Sequence, residues 1–241
     1  MFAPLHVEIA KLKRSLALAL AVLAPGLIAV FTFFNALRLP RAGEWEMWMT
    51  QNAAIWAFFM LPMSGTALTA LVAHMEHGPK SWDHLRALPV ARWKIYAAKA
   101  VCVLGLVAVM SAAVPAMSWA ALEAAAAIKP AIRPTGVLDW GATAAVLARM
   151  YLAALLLIAI QLWVALRFAS FVPALSVGIG GTFFAVVATS AKQGVFLPWQ
   201  MPVNMLAEQP WRWQTALTLG CGGGLVVLAL MLFSLSRREV R

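Results

Sequence analysis

With 241 residues, 63% of them hydrophobic and 12% charged, and a mean hydropathy of +0.83, the chain is far more apolar than a soluble domain, which is about 45–50% apolar and about 25% charged. A globule of this length has too little interior to hide so much apolar surface, so lipid must be its main solvent. The net charge of +10 does not mark a nucleic-acid binder: the 19 Lys and Arg punctuate long apolar runs and form no dense stripe.

In chain order, the first element is a short amphipathic helix. Phe2, Leu5, Ile9 and Leu12 recur at helical spacing, with Glu8, Lys11 and Arg14 elsewhere on the wheel, a pattern suited to a helix lying along the membrane surface. Six stretches then reach the ~20 mainly apolar residues that a spanning helix needs: Ser15–Phe34, Ala53–Val72, Tyr96–Ala120, Thr143–Leu166, Phe171–Ser190 and Gln214–Leu235. They must be helices, because a lipid-exposed backbone has to satisfy its own hydrogen bonds. Leu16–Leu23 and Val146–Ile160 do not alternate, as barrel strands would. The first apolar stretch exceeds the 7–15 residues usual in a signal peptide and is followed by no small-x-small site, so it is expected to stay in place.

Orientation follows from basic residues. With the N-terminus inside, the inner segments hold Lys11, Lys13, Arg14, Lys80, Arg86, Arg92, Lys94, Lys99, Arg167, Arg237, Arg238 and Arg241, against Arg38, Arg41, Lys129, Arg133, Arg149, Lys192 and Arg212 outside. That 12 to 7 excess puts both termini in the cytoplasm. The expected fold is an all-α integral membrane protein of six transmembrane helices behind an N-terminal interfacial helix, in the inner membrane.

The segment from His74 to Lys99 carries the most information. Gly78-Pro79 ends the second span. Ser81 can cap a new short helix with Asp83 in its first turn. Trp82, Leu85 and Leu88 fall on one face, and Pro89 ends the helix. Arg92, Trp93 and Lys94 form a basic-aromatic anchor where the third span enters lipid, and Lys99 can snorkel back to the interface. The chain thus places a short charged helix on the cytoplasmic face between spans two and three.

The order Glu76-x-Gly78, then Leu85-Arg86-Ala87-Leu88-Pro89-Val90-x-Arg92, then Tyr96-x-x-Lys99 resembles the second-to-third-span loop of ABC-2 type permeases, the membrane subunits of ATP-driven exporters of the type V kind. The resemblance covers the whole chain in layout, as a single transmembrane domain over residues 1–241, and about 25 residues in motif. It implies a coupling helix in this loop and a separate ABC ATPase subunit that holds the ATP and Mg, with no cofactor on this chain. It further implies a second permease copy or homologous permease as dimer partner. The ATPase-coupling residues would be Glu76, Gly78, Trp82, Asp83, Leu85, Arg86, Leu88, Pro89, Arg92 and Lys99, with Trp82, Leu85 and Leu88 buried in a cleft of the ATPase. Short, partly re-entrant outer helices between spans five and six are implied too. They fit Lys192–Trp213, where Pro198, Pro202 and Pro210 alternate with Trp199, Trp211 and Trp213. In size and bareness the chain is similar to the lantibiotic- and bacteriocin-immunity permeases; the same layout would serve a lipid or drug permease, or a non-transporting membrane scaffold or sensor.

The chemistry that is missing points the same way. No Gly-x-x-x-x-Gly-Lys-Ser/Thr occurs, so nucleotide would be bound by another polypeptide. His74-x-Glu76-His77 lacks the His-Glu-x-x-His spacing of a zinc hydrolase, and no catalytic centre or metal site is expected. Span interiors carry almost no charge, which suits an amphiphilic or apolar substrate that enters from the bilayer. Candidate path positions are Asn52, Trp56, Phe59, Ser64, Thr66 and Gln161, although plain helix packing is the readier account of each. Gly178, Gly180, Gly181, Gly220 and Gly224 offer close-packing faces, within the chain or across a dimer. Pro25, Pro62, Pro115 and Pro173 can kink their spans.

Overall fold

A computed structural model of the chain describes residues 2–13, 15–77, 82, 85 and 89–237. Its elements are helices: α1 (Phe2–Leu12), α2 (Leu16–Arg38), α3 (Trp45–His77), α4 (Arg92–Ile128), α5 (Trp140–Ala153), α6 (Leu155–Arg167), α7 (Phe171–Val187) and α8 (Pro210–Ser236). Four of them, α2, α3, α4 and α8, are long and apolar enough to cross a membrane. The bent pair α5–α6 makes a fifth if it counts as one span. The helix at the sixth expected position, α7, has 17 residues before the chain tightens into a 3₁₀ turn at Ala188–Ser190.

Packing in lipid rewards small residues that let backbones approach. On α2, Ala17, Ala21, Ala24 and Ile28 recur every three or four residues and are buried, chiefly against α4. The opposite face, with Leu16, Val22, Leu23, Leu27, Val30 and Phe34, is exposed and faces outward. The second half of α3 packs on α6 and α7, and α8 closes on α6 and α4. Gly220 and Gly224 of α8 lie directly on the Ala153–Leu156 backbone, so the close-packing face suggested by their spacing is used within this chain.

Kinks arise where the sequence alone did not place them. α2 and α4 run unbroken through Pro25 and Pro115, their freed carbonyls tolerated inside a bundle. The 41° bend falls between α5 and α6 at Ala154, which is neither Pro nor Gly. Against that bend sits a π-helical segment of α8, Leu219–Gly223. A second π segment, Trp56–Met60, lies just before Pro62 in α3. A proline ring clashes with the carbonyl four residues earlier, here that of Phe58, and one wide turn relieves the clash without breaking the helix.

At the end of the bundle away from α1, a second core gathers Ala36, Trp45, Trp48, Met49, Leu122, Ala125 and Ile132. Two loops are zipped beside it: Thr135 N donates to Gly43 O at 2.9 Å and Trp45 N to Thr135 O at 3.1 Å. Gly136 follows with φ 81°, a conformation glycine adopts without strain. The segment after α7 forms 3₁₀ turns, Lys192–Phe196 and Val203–Leu206, where short outer helices were expected. Val195, Trp199, Met201 and Met205 are buried rather than spread on a surface, with the Trp199 indole lying over Gly181.

Candidate functional site

Charged side chains from three helices converge beside the α3–α4 connection. Glu8 and Lys11 stand three residues apart on α1 and so share a face. Glu76 ends α3, and Lys99 sits two turns into α4. Lys99 Nζ donates to Glu8 Oε2 at 2.7 Å and to Glu76 Oε1 at 3.0 Å. Lys11 Nζ donates to the same Glu76 oxygen at 2.5 Å and to Glu8 Oε1 at 3.1 Å. Two carboxylates therefore meet two ammonium groups. Lys99 has no exposed side-chain surface, and Glu8 and Glu76 are nearly as buried. Charges at that depth persist only when paired and hydrogen-bonded, as these are.

Two expectations are corrected here. Glu8 does not face water: Leu5 and Leu12, one turn to either side, pack on the bundle and carry Glu8 inward, while Val7 and Ile9 are exposed. Lys99 does not reach out to a surface but is fully buried, because α1 lies across its end of α4 and supplies a carboxylate partner. Burial by itself would lower the pKa of Lys11, but the hydrogen bond to Glu76 and the charge of Glu8 outweigh it and raise the pKa above the usual 10.5.

The loop is tied into this cluster through Trp82. Its Nε1 donates to His77 Nδ1 at 2.9 Å, its ring stacks on Tyr96 with centroids 5.5 Å apart, and Lys99 Nζ lies 5.8 Å from its ring centroid. In this single chain the Trp82 indole, one of the residues expected to meet the ATPase, is half-buried against its own helices, because Tyr96 and His77 offer a stacking face and an acceptor at the right reach. Leu85 and Arg92 are half-buried and Pro89 is exposed. Gly78, Asp83, Arg86 and Leu88, expected to couple to the ATPase, lie outside the described residues, as does most of the capped helix between Gly78 and Pro89.

Of the six path positions, five are buried in the packing of this single chain, and only Phe59 is exposed. Thr32 Oγ1 bridges Ile28 O and Asn52 Oδ1. Ser64 and Thr66 hydroxyls donate back to Met60 O and Pro62 O. With its amide turned to satisfy both atoms, Gln161 donates to Ala174 O at 3.2 Å and accepts from Gly178 N at 2.9 Å. Trp56 is fully buried.

At the opposite end a pocket of ≈ 260 Å³ opens between α3, α5 and the Val203–Leu206 turn, with Glu46 and Asp139 beside Met49, Ala53, Val146 and Leu206. Asp139 Oδ1 also caps α5 by accepting from Ala142 N at 2.9 Å. No group of three or more His, Cys, Asp or Glu side chains that could hold a metal occurs among the described residues.

The sequence model of the ABC-2 family transporter proteins matches residues 5–188. The chain belongs to that family. The match runs from α1 through α7 and includes every member of the charge cluster and the Trp82 contacts. As an ABC-2 permease it is a multi-pass membrane transport component and not itself an enzyme, and its family implies a transport system with an ATPase partner. No curated protein and no solved structure matches this permease. What sequence reasoning missed was α1's share in the cluster. The available signal was Leu5, Glu8 and Leu12 on one helical face, a carboxylate set between two packing leucines.

Proposed function

We propose that this ABC-2 permease is the membrane subunit of an ATP-driven exporter, working as a dimer of permease chains and docking a separate ATPase on the segment 78–92. The cargo is an amphiphilic or apolar molecule taken from the bilayer, with a peptide antibiotic as the reading that chain size favours. In this reading the chain crosses the inner membrane six times. α5–α6 forms the fourth span, α7 with its 3₁₀ extension the fifth, and the charge cluster lies at the cytoplasmic end.

The observation that carries the reading is the junction of Trp82 with the Glu8–Lys11–Glu76–Lys99 cluster. A force applied to the loop reaches His77 at the end of α3, Tyr96 and Lys99 in α4, and Glu8 in α1 together. Such a junction moves two spans and the interfacial helix as one body when ATPases close, which is rigid-body coupling. The pocket at the far end supports an amphiphile with a cationic part, since Glu46 and Asp139 stand beside an apolar floor.

The test is Leu85→Asp, which puts a charge on a half-buried position of the docking segment. The variant should insert and fold in the membrane yet fail to co-purify the ATPase. Undiminished ATPase recovery would refute docking at this segment. For the cargo, deleting the gene should sensitise the host to the exported peptide; unchanged sensitivity across a panel of antimicrobial peptides would move the assignment to lipid or drug export.

A further inference from the structure

A second cavity lies on the same end of the bundle as the charge cluster but on its outer side. It has a volume of ≈ 420 Å³, within the ~300–1,000 Å³ of pockets that hold drug-sized ligands. Leu5, Ile9 and Leu12 of α1 roof it, Leu18 in the first turn of α2 forms one wall, and Val101, Cys102, Gly105, Leu106 and Val109 of α4 form its floor. The lining is apolar with a single charged residue, Lys13. Ile9, Leu18, Val101 and Val109 are all at least 40% exposed, so the groove opens sideways, toward lipid. Its floor runs from Val101 to Val109, about 12 Å along α4 at ~1.5 Å per residue.

Lys13 differs from the other lysines of this region. Lys11 and Lys99 are neutralised by Glu8 and Glu76, whereas Lys13 is exposed and has no ion-pair partner among the described residues. It stands between α1 and the N-terminus of α2, whose positive dipole end favours an anion although Ser15 already caps Leu18 N. One end of the groove is thus cationic and at interface depth, while the rest is a dry slot running toward the membrane centre.

We propose that this groove is a binding site for an anionic phospholipid, with one acyl chain laid along Val101–Val109 under α1 and the phosphate held by Lys13. Polarity and direction both match a phospholipid of the leaflet in which α1 lies: charge at the interface, hydrocarbon inward. A bound acyl chain would fill the space between α1 and α4 and so hold α1 against the charge cluster. The site does not depend on which cargo the permease carries or on where the ATPase docks.

Gly105 makes the groove testable without disturbing the core, because a Cβ built there meets nothing within 4 Å. Gly105→Leu should fill the slot and leave the fold intact. The experiment is native mass spectrometry of the full-length permease, with phosphatidylglycerol or phosphatidylcholine titrated in and thermal melting as the check on folding. Wild type should retain phosphatidylglycerol in preference to phosphatidylcholine. Lys13→Gln should weaken phosphatidylglycerol retention about fivefold, the worth of one basic residue at an anionic surface, and weaken phosphatidylcholine, whose phosphate is offset by its choline, by clearly less. Gly105→Leu should lose the tightly held lipid of either kind. Equal retention of both lipids by wild type, or a Lys13→Gln variant that holds phosphatidylglycerol as before, would overturn the assignment. So would a folded Gly105→Leu variant that still carries the lipid.

Discussion

Glu76 accepts from two ammonium groups through the same oxygen, and Lys99 donates to two carboxylates, so neither can be removed without leaving a buried charge short of its partner. Breaking a buried pair from one side typically costs about 3–5 kcal/mol, whereas removing both members can be nearly neutral. Lys99→Met should therefore lower the thermal stability of the permease by an amount of that order, and Lys99→Met combined with Glu8→Gln should recover part of it. A double-mutant cycle on melting in detergent measures the coupling; strictly additive losses would mean that the two side chains do not interact. Lys11 gives a pH signature. Its folded pKa is raised, so its contribution is complete below the unfolded value near 10.5 and fades only as pH climbs through the folded value. Hydrogen exchange in α1 should accordingly show protection that stays flat between about pH 6 and 9 and drops above 10.5, a loss that Lys11→Met should abolish by removing the titrating group. None of this pairing was legible from single residues. A glutamate in an amphipathic helix is by default solvated, and its partner Lys99 stands 91 positions away.

At the scale of elements, periodicity and hydropathy were enough to locate every long helix, because lipid forbids an unpaired backbone and enforces runs of ~20 apolar residues. The local deviations escaped. Proline marks where a helix can bend, but a neighbouring helix decides whether it does, so Pro25 and Pro115 stay within unbroken helices. The bend at Ala154 and the π segment of α8 are one feature, produced where the Gly220–Gly224 face lies on the Ala153–Leu156 backbone. That contact predicts opposite outcomes for two nearby glycines. A Cβ on Gly224 would approach Leu155 Cβ to 2.6 Å and the Leu156 nitrogen to 2.7 Å, so Gly224→Ala should destabilise the α6–α8 packing by roughly 1–3 kcal/mol, as overpacking does. A Cβ on Gly222 meets nothing within 4 Å, so Gly222→Ala should be neutral or stabilise by up to about 1 kcal/mol through reduced backbone freedom. Parallel melting curves of the two variants separate the cases, and equal effects would show that α8 is not seated on the α5–α6 bend.

For the whole molecule, packing and charge are divided between the two ends. At the end bearing α1, helices meet through a cluster in which, among the described residues, two carboxylates pair with two ammonium groups; at the other, through tryptophans, methionines and two zipped loops. The second arrangement is mainly apolar and many-sided. The first is a few strong directional contacts that α1, α3, α4 and Trp82 all share, so it can pass a displacement from one of these elements to the others. If the permease is driven from the loop, the cluster is where docking becomes helix movement, and weakening it should separate ATP turnover from transport. Glu76→Gln keeps the side-chain volume and one acceptor but removes the charge that faces both lysines. In vesicles containing the permease and its ATPase, this variant should retain ATPase binding and most ATP hydrolysis while losing at least tenfold in substrate efflux, equivalent to about 1.4 kcal/mol of lost coupling. Leu85→Asp should instead lose binding, hydrolysis stimulation and efflux together. A Glu76→Gln permease that exports at the wild-type rate would confine the cluster to holding α1 in place, and coupling would then have to run from the loop directly into α4 through the stacked pair Trp82 and Tyr96.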